Sequence, residues 1–219
     1  MKTAQALRDL AAMLMAITAL AWTADSHHQK YANESATFTA PDASYRFSYP
    51  NAFEVCTKGK IQPCVKSMIP VCDLDALACV IYPVKQFGNS NIGGAAFQVR
   101  EIMVSSEEMT ADICVTPYPR DHGTPVQYPD FLISAEHPLE MIGGVRFIHG
   151  TRDGVATGSS IRVGLYRAFH NQRCFELSVS QTGTDPSLSD PPQKTLTSAQ
   201  QEKLNSTMSH ILHSFRFTR

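Results

Sequence analysis

Cysteines are the residues of this chain whose type and spacing could carry chemistry most directly. There are six of them, and none lies as close to another as the paired ligands of structural zinc sites usually do. The C-x-x-C spacing that is typical of a thiol redox centre is also missing. An even number of well-separated cysteines therefore predicts structural disulfides, among Cys56, Cys64, Cys72, Cys79, Cys114 and Cys174.

Six cysteines allow many pairings, and the sequence alone does not choose among them. Local geometry favours the pairs Cys72–Cys79, Cys56–Cys64 and Cys114–Cys174. The first two would close short turn-like segments, at 73–76 and 57–60, and the third would join distant parts of the chain. The alternative is that one or more thiols are buried and unpaired, because free cysteine packs as a small apolar residue.

Histidines are the remaining candidates for metal binding or acid–base chemistry. His210 and His213 are three residues apart near the end of a predicted helix, on the side away from its apolar stripe. Two imidazoles there could hold a metal weakly, but the helix dipole also favours histidine at a C-terminus without any ligand. Others lie near the N-terminus or beside predicted turns, namely His27, His28, His149 and His170. We predict no metal site.

Motifs for catalysis and cofactor binding are missing from the sequence. There is no G-x-S-x-G nucleophile elbow and no glycine-rich phosphate loop. Asp73 and Asp75 form a D-x-D pair without the glycine and glutamate of a calcium loop, so we interpret them as turn residues. A Ser/His/Asp triad need not be local in sequence, and nothing singles one out. We therefore predict no cofactor, and the catalytic residues of any enzymatic activity are unknown.

The N-terminus has the pattern of an export signal. Lys2 and Arg8 precede an apolar run from Leu10 to Ala21 that is too short to span a bilayer, and Ala19-Leu20-Ala21 is an A-x-A cleavage site. We predict a signal peptide at 1–21 and a secreted or periplasmic location. The alternative is an amphipathic helix of the core.

Composition argues for a globular domain that does not bind nucleic acid, and it does not favour an anionic membrane surface as a partner. The formal net charge is −1 and 43% of the residues are hydrophobic. The basic residues are scattered rather than clustered, whereas nucleic acid and anionic membranes attract clusters of lysine and arginine. No segment after the leader is apolar for long enough to be a transmembrane helix. We predict a flexible segment at 22–43 and one domain at 44–219.

Several segments show the alternation of half-buried strands. Strands are predicted at 45–49, in a hairpin at 66–84, at 95–102, and in a meander with strands at 145–150, 161–169 and 174–180. Turns are predicted at 152–154 and 170–172, and loops at 88–94 and 182–195.

Helices are predicted at two places. Ser105 and Glu108 have the spacing of a capping box, and Pro117 would end that short helix. Thr197 and Gln200 begin the second helix in the same way. Its apolar stripe consists of Leu204, Met208, Ile211, Leu212 and Phe215. The fold class predicted is α+β, a central antiparallel sheet of about six or seven strands with helices packed against it.

Two short segments resemble the PsbP-like fold, which includes the extrinsic P protein of photosystem II and the Mog-type Ran-binding proteins. One is the aromatic strand Tyr45-Arg46-Phe47-Ser48-Tyr49-Pro50, and the other is the end of the last helix, Ile211-Leu212-His213-Ser214-Phe215-Arg216-Phe217. The resemblance implies a central antiparallel sheet with helices against it, and roles in binding or assembly. The cysteine-rich segment 56–79 departs from the family pattern.

These observations favour an exported, non-catalytic binding or assembly module that disulfides stabilise. Its partner is unknown, and another envelope or extracellular protein is one candidate. The alternative is a secreted hydrolase with its site in the proline-containing loops at 117–135 and 182–195. A pocket with perturbed titratable groups would favour the enzyme, and an exposed apolar patch would favour the module.

Overall fold

The computed structural model of the protein describes residues 34–61, 71–103, 109–115, 132–133, 138–156, 158–188 and 190–218. The chain divides into two compact units, Met1–Ala36 with Pro50–Ala52, and Thr37–Tyr49 with Phe53–Arg219. In the described part of the first unit, the Asn51 backbone N–H donates to the Glu34 carbonyl oxygen at 3.0 Å. The predicted signal peptide lies outside the described residues. The predicted domain boundaries stay a prediction.

Strands make up about half of the described chain. They are β1 Ser35–Thr39, β2 Tyr45–Pro50, β3 Glu54–Thr57, β4 Ala78–Ile81, β5 Ile92–Ile102, β6 Leu132–Ile133, β7 Leu139–Ile142, β8 Val145–Ala156, β9 Ser159–His170, β10 Arg173–Thr184 and β11 Arg216–Phe217. Within the described residues, the α-helices are α1 Ala111–Val115 and α2 Ser198–Ser214, and short 3₁₀ helices lie at Val84–Phe87 and Pro186–Leu188.

The strands form two sheets. A small sheet has the order β1-β2-β11, and a large sheet has the order β3-β4-β5-β10-β9-β8-β6, with β7 also paired to β8. All strand pairs described in the large sheet are antiparallel. The predicted antiparallel sheet is therefore confirmed.

The helical part of the predicted fold class needs correction. Within the described residues only α2 is longer than five residues, so the fold is closer to mostly β than to a balanced α+β class. Of the predicted helix near 105, the described residues show α1, which begins at Ala111, while the capping box at Ser105 lies outside the described residues. The Thr110 hydroxyl accepts from the Ile113 backbone N–H at 3.2 Å, which is an N-cap contact and accounts for the start of α1.

The C-terminal helix α2 forms as its sequence predicts. The Gln200 backbone N–H donates to the Thr197 hydroxyl at 3.3 Å, and the Thr197 N–H donates to the Gln200 side-chain oxygen at 2.9 Å. This capping box satisfies N–H groups that have no partner inside the helix. The predicted stripe is buried against the large sheet, with Leu204, Met208, Ile211 and Leu212 in the core and Phe215 at the C-cap.

Two predicted turns have different outcomes. Asn171 and Gln172 have φ of 48° and 60°, which is the left-handed backbone of a two-residue type I′ hairpin, so the turn between β9 and β10 is confirmed. The turn predicted at 152–154 is wrong, because β8 continues to Ala156 and β9 pairs with its whole second half. Arg162 lies opposite Asp153, and this opposite-charge pair suits a continued ladder.

The predicted hairpin at 66–84 also needs correction. Strand β4 pairs with β3, in register from Glu54 opposite Ile81 to Thr57 opposite Ala78, and not with the segment before Cys72. Residues 62–70 lie outside those described. The predicted loop at 88–94 ends earlier than expected, because β5 begins at Ile92, and the loop at 182–195 starts later, because β10 reaches Thr184.

Part of the segment predicted to be flexible is ordered. Residues 35–39 form β1, although 22–43 is polar overall. Phe38 explains the difference, because its ring stacks on Phe47 at 5.0 Å between centroids and adds to the aromatic core. Residues 22–33 lie outside the part of the chain that is described.

The two faces of the central strand β10 have different surroundings, an apolar core on one face and buried ion pairs on the other. Phe175 and Leu177 face α2 and belong to the main apolar core. Glu176 points to the opposite side, where its carboxylate accepts from Arg167 Nε at 2.6 Å and from Arg100 Nη2 at 2.5 Å. Burial alone would lower the pKa of Arg100, but the nearby carboxylates of Glu176 and Asp73 raise it above its ordinary value.

Candidate binding groove beside the C-terminal helix

A groove of about 220 Å³ lies between α2 and the large sheet. The antiparallel alternation of β10 turns Val179 and Gln181 toward the helix, and the register of β9 places Tyr166 beside them. The helix contributes two adjacent rows of residues spaced by four positions, which share one face: Leu204, Met208 and Leu212, and Asn205, Ser209 and His213. The groove is lined by Ala95, Glu140, Tyr166, Val179, Ser180, Gln181, Leu204, Asn205, Met208, Ser209, Leu212 and His213.

The floor of the groove is apolar and rigid. Met208 and Leu212 are only 2% and 3% exposed, so they are held by the core below them. Tyr166 stacks on His149 with the rings nearly parallel and their centroids 4.6 Å apart. Burial, and after it the carboxylate of Glu140, raises the pKa of Tyr166 to about 12. The phenol therefore stays neutral and can donate a hydrogen bond.

One end of the groove carries a carboxylate–imidazole pair. His213 Nε2 lies 3.2 Å from Glu140 Oε1, and both side chains are partly exposed, at 45% and 28%. The pair is an ion pair only while the imidazole is protonated. Strand β7 brings Glu140 to this position, and α2 brings His213.

The other end carries amides. The side chains of Gln181 and Gln201 donate to each other at 3.3 and 3.0 Å, and Gln201 also donates to the Asn205 side-chain oxygen at 2.8 Å. Beyond this amide bridge lies a wider cleft of about 480 Å³. The groove is thus an apolar slot with amide groups at one end and a carboxylate–imidazole pair at the other.

Three groove residues have the types of a Ser/His/Glu triad. Ser209 lies one helical turn before His213, whose imidazole contacts Glu140. The Ser209 hydroxyl does not donate to that imidazole, and Ser209 lies inside α2, where backbone N–H groups are used within the helix. A serine hydrolase needs free N–H donors for its oxyanion. The arrangement therefore suits binding better than acyl transfer.

The predicted cysteines lie away from this groove. The structure contains the disulfides Cys72–Cys79 and Cys114–Cys174, with Cα–Cα distances of 6.2 and 5.3 Å, which are two of the three pairs predicted from the sequence. Cys56 is also disulfide-bonded, while Cys64 lies outside the described residues, so its pairing stays a prediction. Cys174 alternates with the groove residues of β10 and faces the other side of the sheet.

The predicted histidines are not brought together. His213 lines the groove, His149 supports its floor, and His210 is exposed on α2. His170 stacks on Phe217 at 4.0 Å. His27 and His28 lie outside the described residues. Among the residues described, no group of three or more histidine, cysteine, aspartate or glutamate side chains could hold a metal ion.

The predicted turn at Asp73 has a structural role, and most of the predicted loop site lies outside the described residues. The Asp73 carbonyl oxygen accepts from the Ala76 N–H at 3.1 Å, as expected of a turn residue, and its carboxylate accepts from Gln98 at 2.6 Å. Of the loop 117–135, only residues 132–133 are described. Sequence reasoning missed Glu140 and Tyr166, whose signal was only the alternation of strands β7 and β9.

Comparison with known proteins gives only distant likenesses. No protein-family model matches the chain. No curated protein matches it either. Similar solved structures include a protein of Bacteroides thetaiotaomicron VPI-5482, with a TM-score of 0.40 and 11% identity over 84% of this chain and 48% of that one. This chain therefore spans about half the length of that protein.

A second similar structure is LpqN, which is involved in cell envelope biogenesis of Mycobacterium tuberculosis. Its TM-score is 0.43 and its identity 10%, over 85% of this chain and 91% of that one. Both likenesses are too distant to assign a fold or a function, and the PsbP-like resemblance stays a prediction. Within the described residues, every helix is too short or too polar to cross a membrane.

Proposed function

We propose that the protein is an exported, disulfide-stabilised binding module of PsbP-like architecture, and that the groove beside α2 is its recognition site. The disulfides Cys72–Cys79 and Cys114–Cys174 support export, because such bonds persist in oxidising compartments. The observation that carries the proposal is the groove itself, with its apolar floor between polar ends. Recognition sites combine these two features.

The proposed occupant is a segment of another polypeptide that inserts one apolar side chain. A cavity of about 150 Å³ is enough to hold benzene, whereas small-molecule sites usually begin at about 300 Å³. A groove of about 220 Å³ therefore suits a single large side chain. The amides of Gln181, Gln201 and Asn205 stand beside it and can both donate to and accept from a peptide backbone.

The direct test uses N-acetylleucinamide as a probe, with methyl-labelled methionine observed by NMR. At about 0.3 kcal/mol for each of its roughly 12 heavy atoms, the probe gains about 3.6 kcal/mol, which corresponds to a dissociation constant of about 2 mM. We expect the Met208 methyl signal to shift. The exposed Met103 and Met141 are internal controls, at 83% and 60% exposure, and we expect them not to shift.

Two variants of α2 make the test specific. Ser209→Phe places a ring in the groove, and Ser206→Phe places the same ring on an exposed position that does not line it. We expect the first variant to abolish the Met208 response and the second to preserve it. An unresponsive Met208 in the parent protein, or equal effects of the two variants, would refute the proposal.

A hydrolase is the second candidate, favoured only by the presence of Ser209, His213 and Glu140 in one groove. It predicts turnover of p-nitrophenyl acetate that Ser209→Ala removes and Ser206→Ala does not. We expect no turnover that depends on Ser209, because the helix leaves no N–H donor free there.

A further inference from the structure

A separate pocket of about 310 Å³ lies on the exposed face of the small sheet, lined by Thr37, Arg46, Phe47, Ser48, Ser214 and Arg216. Strand β2 alternates, so that Tyr45 and Phe47 are buried while Arg46 is exposed. Arg216 of β11 lies directly opposite Arg46 in the antiparallel register. Side chains of directly opposed residues share one face, and both arginines line the same pocket.

This arrangement of charge is unusual for the protein. Like charges directly opposite each other destabilise a strand pair. Arg100, Arg167 and Arg173 each contact a carboxylate. Among the residues that the structure describes, no carboxylate lies within ion-pair distance of Arg46 or Arg216. Two opposed cations without a nearby carboxylate favour the binding of an anion between them.

The pocket also holds its donors in place. Arg216 Nη1 donates to the carbonyl oxygens of His213 and Phe215 at the end of α2, the latter at 2.6 Å. These contacts orient the guanidinium and leave Nε and Nη2 without a partner in the described chain. The carbonyls carry only partial charge, so they neutralise Arg216 incompletely. Thr37 and Ser48, which carry hydroxyl groups, also line the pocket.

We propose that the Arg46–Arg216 pocket binds a phosphate group, carried either by a small phosphate ester or by a lipid headgroup. A phosphomonoester has a charge between about −1.5 and −2 and three acceptor oxygens, which match two guanidinium forks and a hydroxyl. A carboxylate has one charge and satisfies only one fork. This site does not depend on the groove beside α2, and either one stands if the other fails.

The first test is a titration with inorganic phosphate at constant ionic strength, with the arginine Nε–H signals observed by NMR. We expect the Arg46 and Arg216 signals to shift with a dissociation constant on the order of 1 mM, which lies within the limit for five heavy atoms. Sodium chloride at matched ionic strength should leave them in place. No phosphate-dependent shift of either signal would overturn the proposal.

Variants separate this site from general charge effects. Arg46→Gln should weaken phosphate binding about tenfold or more, because it removes a charge-assisted fork. The same variant should raise the melting temperature slightly, because it relieves the repulsion with Arg216, and this shows that it folds. Arg162→Gln is the matched control, since Arg162 is 84% exposed on another sheet. An equal loss of affinity in both variants would contradict the site.

The source of the phosphate is distinguished by two further probes. Glycerol 3-phosphate represents a free ester, and phosphatidylcholine vesicles with one-fifth phosphatidic acid represent a headgroup. Binding of the soluble ester alone supports a free ligand. If the parent protein sediments with the vesicles and Arg46→Gln does not, the ligand is a lipid headgroup. Vesicle binding that persists in Arg46→Gln, with no response to the soluble ester, would refute the site.

Discussion

Replacing the buried carboxylate of Glu176 tests how much its ion pairs stabilise the large sheet. It is 1% exposed, and Arg167 and Arg100 donate to its two oxygens. Both arginines lie directly opposite Glu176 in the strand register, on β9 and β5. The backbone pairing itself therefore assembles the three charges, and one substitution can remove the central one.

Glu176→Gln keeps the shape of the side chain and removes its charge. Arg100 is 21% exposed and still has Asp73 at 3.4 Å, so it retains a counterion. Arg167 is only 3% exposed, and its guanidinium would keep its charge after losing the carboxylate that lies 2.6 Å from its Nε. Removing one partner of a buried ion pair costs about 3–5 kcal/mol. This is a large part of the roughly 5–15 kcal/mol that stabilises an ordinary domain.

The assay is equilibrium unfolding in urea, followed by circular dichroism with the disulfides intact. The matched control is Glu54→Gln, the same chemical change on an exposed residue of β3, which should cost less than about 0.5 kcal/mol. The double variant Glu176→Leu with Arg167→Met should recover most of the loss, because an apolar replacement of a buried pair is often neutral. Equal costs for Glu176→Gln and Glu54→Gln would refute this account of the network.

Two further predictions concern crosslinks and acid. Replacing Cys114 and Cys174 by serine should cost about 4 kcal/mol, because the bridge closes a loop of 60 residues, and urea unfolding measures the loss. The Ser44 hydroxyl, and then Arg173, lowers the pKa of Asp42 from 3.8 to about 2. The ionised Asp42 carboxylate therefore contributes to the free energy of unfolding above pH 4, and this contribution is lost as the pH falls from about 4 to 2. Its size is below about 1 kcal/mol, because Asp42 is exposed to solvent. In Asp42→Asn, the free energy of unfolding should therefore fall less steeply between about pH 4 and pH 2 than in the parent protein. The same pH dependence in both proteins would contradict the lowered pKa of Asp42.

Local rules predicted those elements whose determinants lie within a few residues. The helix α2 carries its own capping box and stripe, and the Asn171–Gln172 turn needs only two residues with positive φ. The turn expected at Arg152–Gly154 failed because strand length is decided by the partner. Strand β9 offers hydrogen bonds up to Ala156, and these outweigh the turn preference of Asp-Gly.

The groove could not be read from the sequence, because its parts come from five separated segments, namely β5, β7, β9, β10 and α2. Glu140 and His213 meet only after β7 has joined β8 and α2 has packed on the sheet. Within its own segment, Glu140 has the pattern of a polar residue in a strand, and His213 has that of a surface histidine on a helix. The same holds for Arg46 and Arg216, whose opposition depends on a strand pair between the two ends of the fold.

The central claim is that the groove beside α2 receives an apolar side chain of a polypeptide. The most direct measurement is the intermolecular nuclear Overhauser effect between N-acetylleucinamide and the protein. We predict contacts from the leucine methyl groups to the Met208 methyl and the Tyr166 ring, which share the groove floor. Contacts only to exposed residues such as Met103, or none at saturating probe, would contradict the claim.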